Sequence, residues 1–212
     1  MKNLMVRLMV LLVCVAAPAS ATLLTNPGFE SPILADGEWH IAAPTGWFYT
    51  GDGNGWHTNP SVWVNGWEIS YEGDNIAQLP PVHHLNQDIS VPALTAGQQY
   101  TLTMQVHETP GYDDAHGSTA SWAIAYLGWD GWAGWVDTGW VNFDDSDGWV
   151  EMSVTLDTDV MLAAIGATQF NIQLDPDGGA PIVVDAASLT VIPEPATMCL
   201  LGLGGLLLRR RR

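Results

Sequence analysis

The chain predicts an all-β fold, a two-sheet sandwich of about eight to ten strands. Three observations carry the expectation: apolar and polar residues alternate in several separate runs, turn-forming clusters stand between the runs, and the central chain keeps no helical period. Tyr100, Leu102, Met104 and Val106 alternate with Thr101, Thr103, Gln105 and His107. Trp122, Ile124 and Tyr126 form a second run, with Trp122 expected in the core. Val150, Met152, Val154 and Leu156 alternate with Glu151, Ser153, Thr155 and Asp157. Phe170, Ile172 and Leu174 follow, then Ile182 and Val184. Turns are expected at Gly51–Gly55, Thr109–Gly111, Asp144–Gly148 and Asp175–Gly179, and Val160–Ala167 is a candidate for one short helical turn.

The charges divide the chain into address and body. Lys2 and Arg7 stand at the start and Arg209, Arg210, Arg211 and Arg212 at the end; all 23 acidic residues lie between them. Lys2 and Arg7, the apolar run Leu8–Val15 and the small residues Ala19-Ser20-Ala21 read as a secretory signal peptide over 1–21, cleaved after Ala21. The run is short for a membrane span, which needs roughly 20 residues. The body, 22–192, has the size of one domain. It contains no cysteine, so no disulfide framework supports it outside the cell.

An acidic body without Lys or Arg repels itself. Bound Ca²⁺, which takes carboxylate and carbonyl oxygens, would relieve the repulsion, and so would a salty exterior. No basic patch exists for nucleic acid. Trypsin should leave 22–192 uncut, native or unfolded; a tryptic ladder from within the body, seen by mass spectrometry, would mean the boundaries are wrong.

Pro193-Glu194-Pro195, the apolar stretch Ala196–Leu208 and the four arginines occupy 193–212. This end resembles the PEP-CTERM sorting signal of bacterial exported proteins. The resemblance implies a processing partner, an exosortase, that cleaves near Pro-Glu-Pro, and transient anchoring by a short C-terminal apolar helix in the inner membrane. The positive-inside bias would hold the arginines on the cytoplasmic side. About 13 residues at 1.5 Å rise reach roughly 20 Å, short of a full hydrocarbon core. An ordinary tail anchor is the alternative, and either way the body lies outside the cytoplasm.

Within the body, Asn26-Pro27-Gly28-Phe29-Glu30, Leu85-Asn86-Gln87-Asp88-Ile89, Ala96–Leu102 and Ile182–Leu189 follow in an order that resembles the galactose-binding-like jelly roll of many carbohydrate-binding modules. The resemblance implies that the first and last strands lie side by side, with Glu30 and Asp185 helping to hold a structural Ca²⁺. Ala186 stands where a second Asp is common, which weakens a two-Asp version of that site.

Eleven tryptophans crowd the body. Trp129, Trp132, Trp135 and Trp140 lie in a glycine-rich segment, where a flat ring can stack on a sugar while Asp130, Asp137 or Asn142 accepts hydroxyl hydrogen bonds. The candidate carbohydrate-binding set is therefore Trp129, Trp132, Trp135, Asp130 and Asp137. The six histidines show no zinc spacing and read as surface or packing residues. No Gly-x-Ser-x-Gly elbow, Cys nucleophile or phosphate loop is present in the body, and carboxylate pairs arise by chance among so many acids. The expectation is a non-enzymatic surface or matrix protein that binds polysaccharide. Its rivals are a structural protein bridged by divalent cations and, behind that, a glycoside hydrolase.

Overall fold

The computed structural model describes residues 22–34, 38–51, 61–64, 70–81, 83–109, 121–178 and 180–193. The expected signal peptide with Ala19 and Ala21, and the sorting segment from Glu194 and Pro195 through the expected C-terminal helix to Arg209–Arg212, lie outside the described residues. The described residues form twelve strands: β1 (Trp39–His40), β2 (Phe48–Gly51), β3 (Ser61–Val64), β4 (Asn75–Leu79), β5 (His83–Ser90), β6 (Gln98–Glu108), β7 (Ser121–Trp129), β8 (Gly134–Asp137), β9 (Val141–Phe143), β10 (Val150–Asp157), β11 (Gln169–Gly178) and β12 (Ile182–Pro193). Two 3-10 turns, Asp145–Asp147 and Leu162–Ala164, fall where the turn cluster and the helical candidate were expected.

The strands form two antiparallel sheets. The first has the order β1-β3-β4-β12-β6-β10; the second has β2-β5-β11-β7-β8, with β9 also on β7. Alternation explains the sandwich. β6 and β10 pair in register from Val106↔Val150 to Gln99↔Asp157, so Tyr100, Leu102, Met104 and Val106 turn inward beside Met152, Val154 and Leu156. The second sheet answers with Leu85, Ala123, Ala125, Leu127, Trp129, Phe170, Ile172 and Leu174. Tyr100 meets Phe170 edge-on across the gap, ring centroids 4.8 Å apart. On the outer side of the first sheet, hydrogen bonds without a basic residue join the strands: Thr101 with Thr155, the Gln99 amide to Asp157, and the Gln105 amide to Glu151.

Two expectations are corrected. Trp122 is exposed, at 43%, because the smaller Ala123 and Ala125 take the inward positions of β7. Asp175–Gly179 does not turn at Asp175; β11 continues, pairing Pro176 with Ala123 and Asp177 with Trp122. Pro176 lacks an N–H, and its ladder tolerates this because the pairing of β11 with β5 ends at Leu174↔Leu85.

The opening motif ties the ends of the chain together. The segment from Thr22 runs beside β12: Leu23 N–H donates to the Leu189 carbonyl at 2.8 Å, and Ala187 N–H to the Pro27 carbonyl at 2.9 Å. Asn26 clasps Ser31 through both side-chain atoms, and Trp47 Nε1 donates to the Asn26 carbonyl. Phe29, at a positive φ of 59°, drives its ring into the core against Trp47, 5.2 Å away. The side-by-side placement of first and last segments matches the jelly-roll expectation.

Candidate functional site: the outer face of the second sheet

The residues that alternate with the core positions of the second sheet build one continuous face. Trp122, Ile124, Tyr126 and Gly128 on β7 pair with Asp177, Asp175, Gln173 and Asn171 on β11. Asn171 and Gln173 lie opposite Asp88 and Asn86 on β5, and β2 adds Phe48 opposite Asn86 and Thr50 opposite His84. On the other side, Trp135 sits opposite Gly128, Asp137 opposite Tyr126 and Asn142 opposite Trp122.

Aromatic rings dominate one half of this face. Trp122, Trp132 and Trp135 are 43%, 38% and 54% exposed. The turn after β7 presents Trp132 through strain: Asp130, Gly131 and Trp132 all have positive φ, at 46°, 68° and 69°. Asn171 Oδ1 accepts from Gly131 and Trp132 N–H, and its amide donates to Asp88 Oδ1 at 2.7 Å. Asp130 accepts from Thr168 and Gln169 N–H. Gly128 leaves the seat for the Trp132 ring, since a Cβ there would lie 2.5 Å from it. Tyr126 meets the same ring edge-on, centroids 6.4 Å apart.

Acceptors fill the rest. Asp175 is held by His84 Nδ1 at 2.7 Å and by the Gln173 amide at 2.6 Å. Burial first, then the carboxylates of Asp175 and Asp137, raise the Tyr126 phenol above its ordinary pKa, so it keeps its proton and can donate. The face thus offers flat apolar rings, one phenolic donor and several carboxylate acceptors.

The structure separates the sequence-derived candidates. Trp132, Trp135 and Asp137 lie on this face. Trp129 does not; it is 4% exposed and belongs to the core, because odd-numbered β7 positions point inward. Asp130 is exposed at the turn, which its Oδ1 buttresses. Sequence reasoning missed Trp122, Tyr126, Asn171, Asp88, Asp175 and His84. The signal available for them was strand parity: small Ala123 and Ala125 mark the inner side of β7, which puts even-numbered residues outside.

Glu30 and Asp185 are brought to one loop, 70–75, from opposite ends of the chain. Glu30 Oε1 accepts from Asp74 and Asn75 N–H, both at 3.0 Å. Asp185 Oδ2 accepts from Tyr71 and Glu72 N–H, and Oδ1 from Ala186 N–H. A β-bulge between Asp185 and Ser188, with Ala186 at φ 46°, accompanies this arrangement. Asp185 is wholly buried; desolvation, with a contribution from Glu72, raises its pKa to about 7 against the three backbone hydrogen bonds. Among the described residues, no group of three or more His, Cys, Asp or Glu gathers as a metal site.

The family model described as HpiC1 cyclase matches residues 20–195. The chain belongs to this HpiC1-like family. Residues 191–212 match the PEP-CTERM protein-sorting motif, which directs exosortase-sorted export to the cell surface. No curated protein matches the sequence. The Stig cyclase FisC from Fischerella sp. TAU, solved with (3Z)-3-(1-methyl-2-pyrrolidinylidene)-3H-indole, superposes with a TM-score of 0.61 at 19% identity, covering 82% of this chain and 98% of the cyclase. TmCBM61, solved with β-1,4-galactotriose, gives 0.51 at 15% identity, covering 82% and 100%. The tandem CBM22 domains of Paenibacillus barcinonensis Xyn10C give 0.52 at 16%, covering 84% of this chain and 47% of theirs. At these identities the structural likenesses show the sandwich alone. The HpiC1-like family sets a cyclase beside the binding module that the sequence suggests. No helix among the described residues is long and apolar enough to cross a membrane.

Proposed function

We propose that this exported protein binds neutral carbohydrate chains on the outer face of its second sheet. The observation that carries the reading is the exposed set Trp122, Trp132 and Trp135 sharing one sheet face with Tyr126, Asp137 and Asp175. Rings of this kind stack on the apolar faces of sugars, and carboxylates accept from their hydroxyls. From Trp122 to Gly128, where Trp132 rests, β7 extends about 20 Å, long enough for several sugar rings. The carbohydrate-binding modules that share the sandwich support the same use, and TmCBM61 was solved with a neutral galactotriose. Tryptophan emission titrated with xylan and β-1,4-galactan should shift and saturate. Trp122→Ala and Trp135→Ala should each weaken binding roughly tenfold, the usual weight of an aromatic anchor. An emission spectrum indifferent to every neutral glycan would remove the reading.

A structural Ca²⁺ at Glu30 and Asp185 belongs to the same proposal. The donors suit a hard cation, and a buried carboxylate beside Glu72 has no cationic side chain to balance it. The oxygens that face the 70–75 loop already accept from its amides, so each would share a second lone pair with the ion.

Family membership favours a second reading, a cyclase-type enzyme using this face. Tyr126, kept protonated between Asp175 and Asp137, is a positioned proton donor beside aromatic walls. A ring-closed product of unchanged mass from an indole-bearing substrate, lost with Tyr126→Phe, would decide for it.

A further inference from the structure

The end of the sandwich from which the chain leaves carries an uncharged apolar prominence. Val160, Met161, Leu162 and Ile165 are 72%, 38%, 64% and 43% exposed, in a segment without an ionisable residue from Val160 to Leu174. Most of this body is acidic, so such a patch is conspicuous. Register fixes its place. Pro193, the last described residue, pairs with Gln98. The Gln98 carbonyl accepts from Thr158 N–H at 3.0 Å, and Gly97 N–H donates to Asp159 at 2.9 Å. The apolar loop therefore begins beside the exit of β12, where Ile192 is also 47% exposed. Gly166 and Ala167 hold the loop against Leu94 through backbone hydrogen bonds.

The length of chain beyond the exit says what covers this end. Only Glu194 and Pro195 separate Pro193 from the apolar run that starts at Ala196 and ends at four arginines. At no more than roughly 3.6 Å per residue, that link reaches about 10 Å. If 196–208 inserts in the membrane, as the sorting motif suggests, the exit end lies within that distance of the lipid surface. Asp157 and Asp159 flank the patch at the surface, where Asp159 accepts from Gly97 N–H and Asp157 accepts from the Gln99 amide and Asp159 N–H.

We propose that this end is a membrane-contact surface, with Val160, Met161, Leu162 and Ile165 resting in the headgroup region of the bilayer before processing. The proposal rests on the reading that 196–208 is a membrane anchor. It gives the acidic body an apolar footing and a fixed orientation, with the exit of β12 at Pro193 turned towards the membrane.

The test uses the full chain in phosphatidylcholine vesicles carrying a diazirine lipid, with adducts mapped after chymotryptic digestion. Adducts are expected in 196–208 and in 160–165. Val160→Ser with Leu162→Ser should cut those in 160–165 at least fivefold and leave those in 196–208 unchanged. Adducts in 196–208 with none in 160–165 would overturn the contact surface and spare the anchor. No adducts in 196–208 would overturn the anchor and the proposal with it. Protection of 160–165 that appears only when exosortase-containing membranes are supplied, and never in lipid alone, would overturn it in favour of a protein contact.

Discussion

In calcium-free buffer the folded chain should lose stability as pH rises from about 4 to about 7, and Asp185→Asn should remove most of that loss. The buried Asp185 carboxyl titrates near 7 in the fold, against an ordinary value of 3.8. Below the lower value both states hold the proton and no difference arises. Between the two values the unfolded chain ionises while the folded chain stays protonated, so stability falls by about 1.4 kcal/mol per pH unit. Above the folded value both are ionised, and the accumulated loss is on the order of 4 kcal/mol. The other carboxylates also repel as they ionise, so the quantity to measure is the difference in slope between the two proteins in urea unfolding at each pH. The absolute level is a poorer guide, because the Asn amide cannot accept from all three backbone N–H groups now facing Asp185, and one unmet contact costs about 1–3 kcal/mol. Parallel slopes would show that Asp185 is solvated. The same series in millimolar Ca²⁺ tests the metal: a bound cation holds the carboxylate ionised, so the slope should flatten in the native chain and stay unchanged in Asp185→Asn.

The sandwich was legible because it is written in period-2 alternation, and alternation survives without knowledge of the partner strand. The paired runs of β6 and β10 show this best. The face of each strand was less legible. Trp122, Ile124 and Tyr126 satisfy the same alternation as Ala123, Ala125 and Leu127, and hydrophobicity alone favours putting the larger set inside. Packing decides otherwise: beside Leu174 and Pro176 of β11 the interior holds the small Ala125 and Ala123, and the rings of Trp122 and Tyr126 go out. The Asp-Pro-Asp-Gly run after Leu174 reads as a turn locally, and only the end of the β5 pairing lets the proline stay in a strand. At the site, composition suggested an aromatic platform but could not sort its members, because Trp129 and Trp132 look alike in sequence while one is core and the other is propped outward by Asn171 from a different strand. Glu30 and Asp185 meeting one loop is a long-range fact that followed from the resemblance of the opening and closing motifs rather than from spacing.

Trp129 and Trp135, six residues apart, should give opposite phenotypes. Trp129→Ala empties a core position at the end of β7 and should cost about 3–5 kcal/mol, a large part of the 5–15 kcal/mol that typical domains possess. Trp135→Ala removes a ring that is 54% exposed and should change stability by no more than about 0.5 kcal/mol, while weakening glycan binding. Gly134 sharpens the contrast. A Cβ there would lie 2.3 Å from the Trp129 ring, so Gly134→Ala overpacks the site and should cost about 1–3 kcal/mol. With the ring gone the added methyl has room, so the double variant Trp129→Ala/Gly134→Ala should be more stable than the sum of the two single losses predicts. Urea unfolding of the four proteins measures this coupling. Additive losses would mean that Gly134 does not seat the Trp129 ring, and a destabilised Trp135→Ala beside a tolerated Trp129→Ala would exchange the two rings between core and surface and take the carbohydrate platform with it.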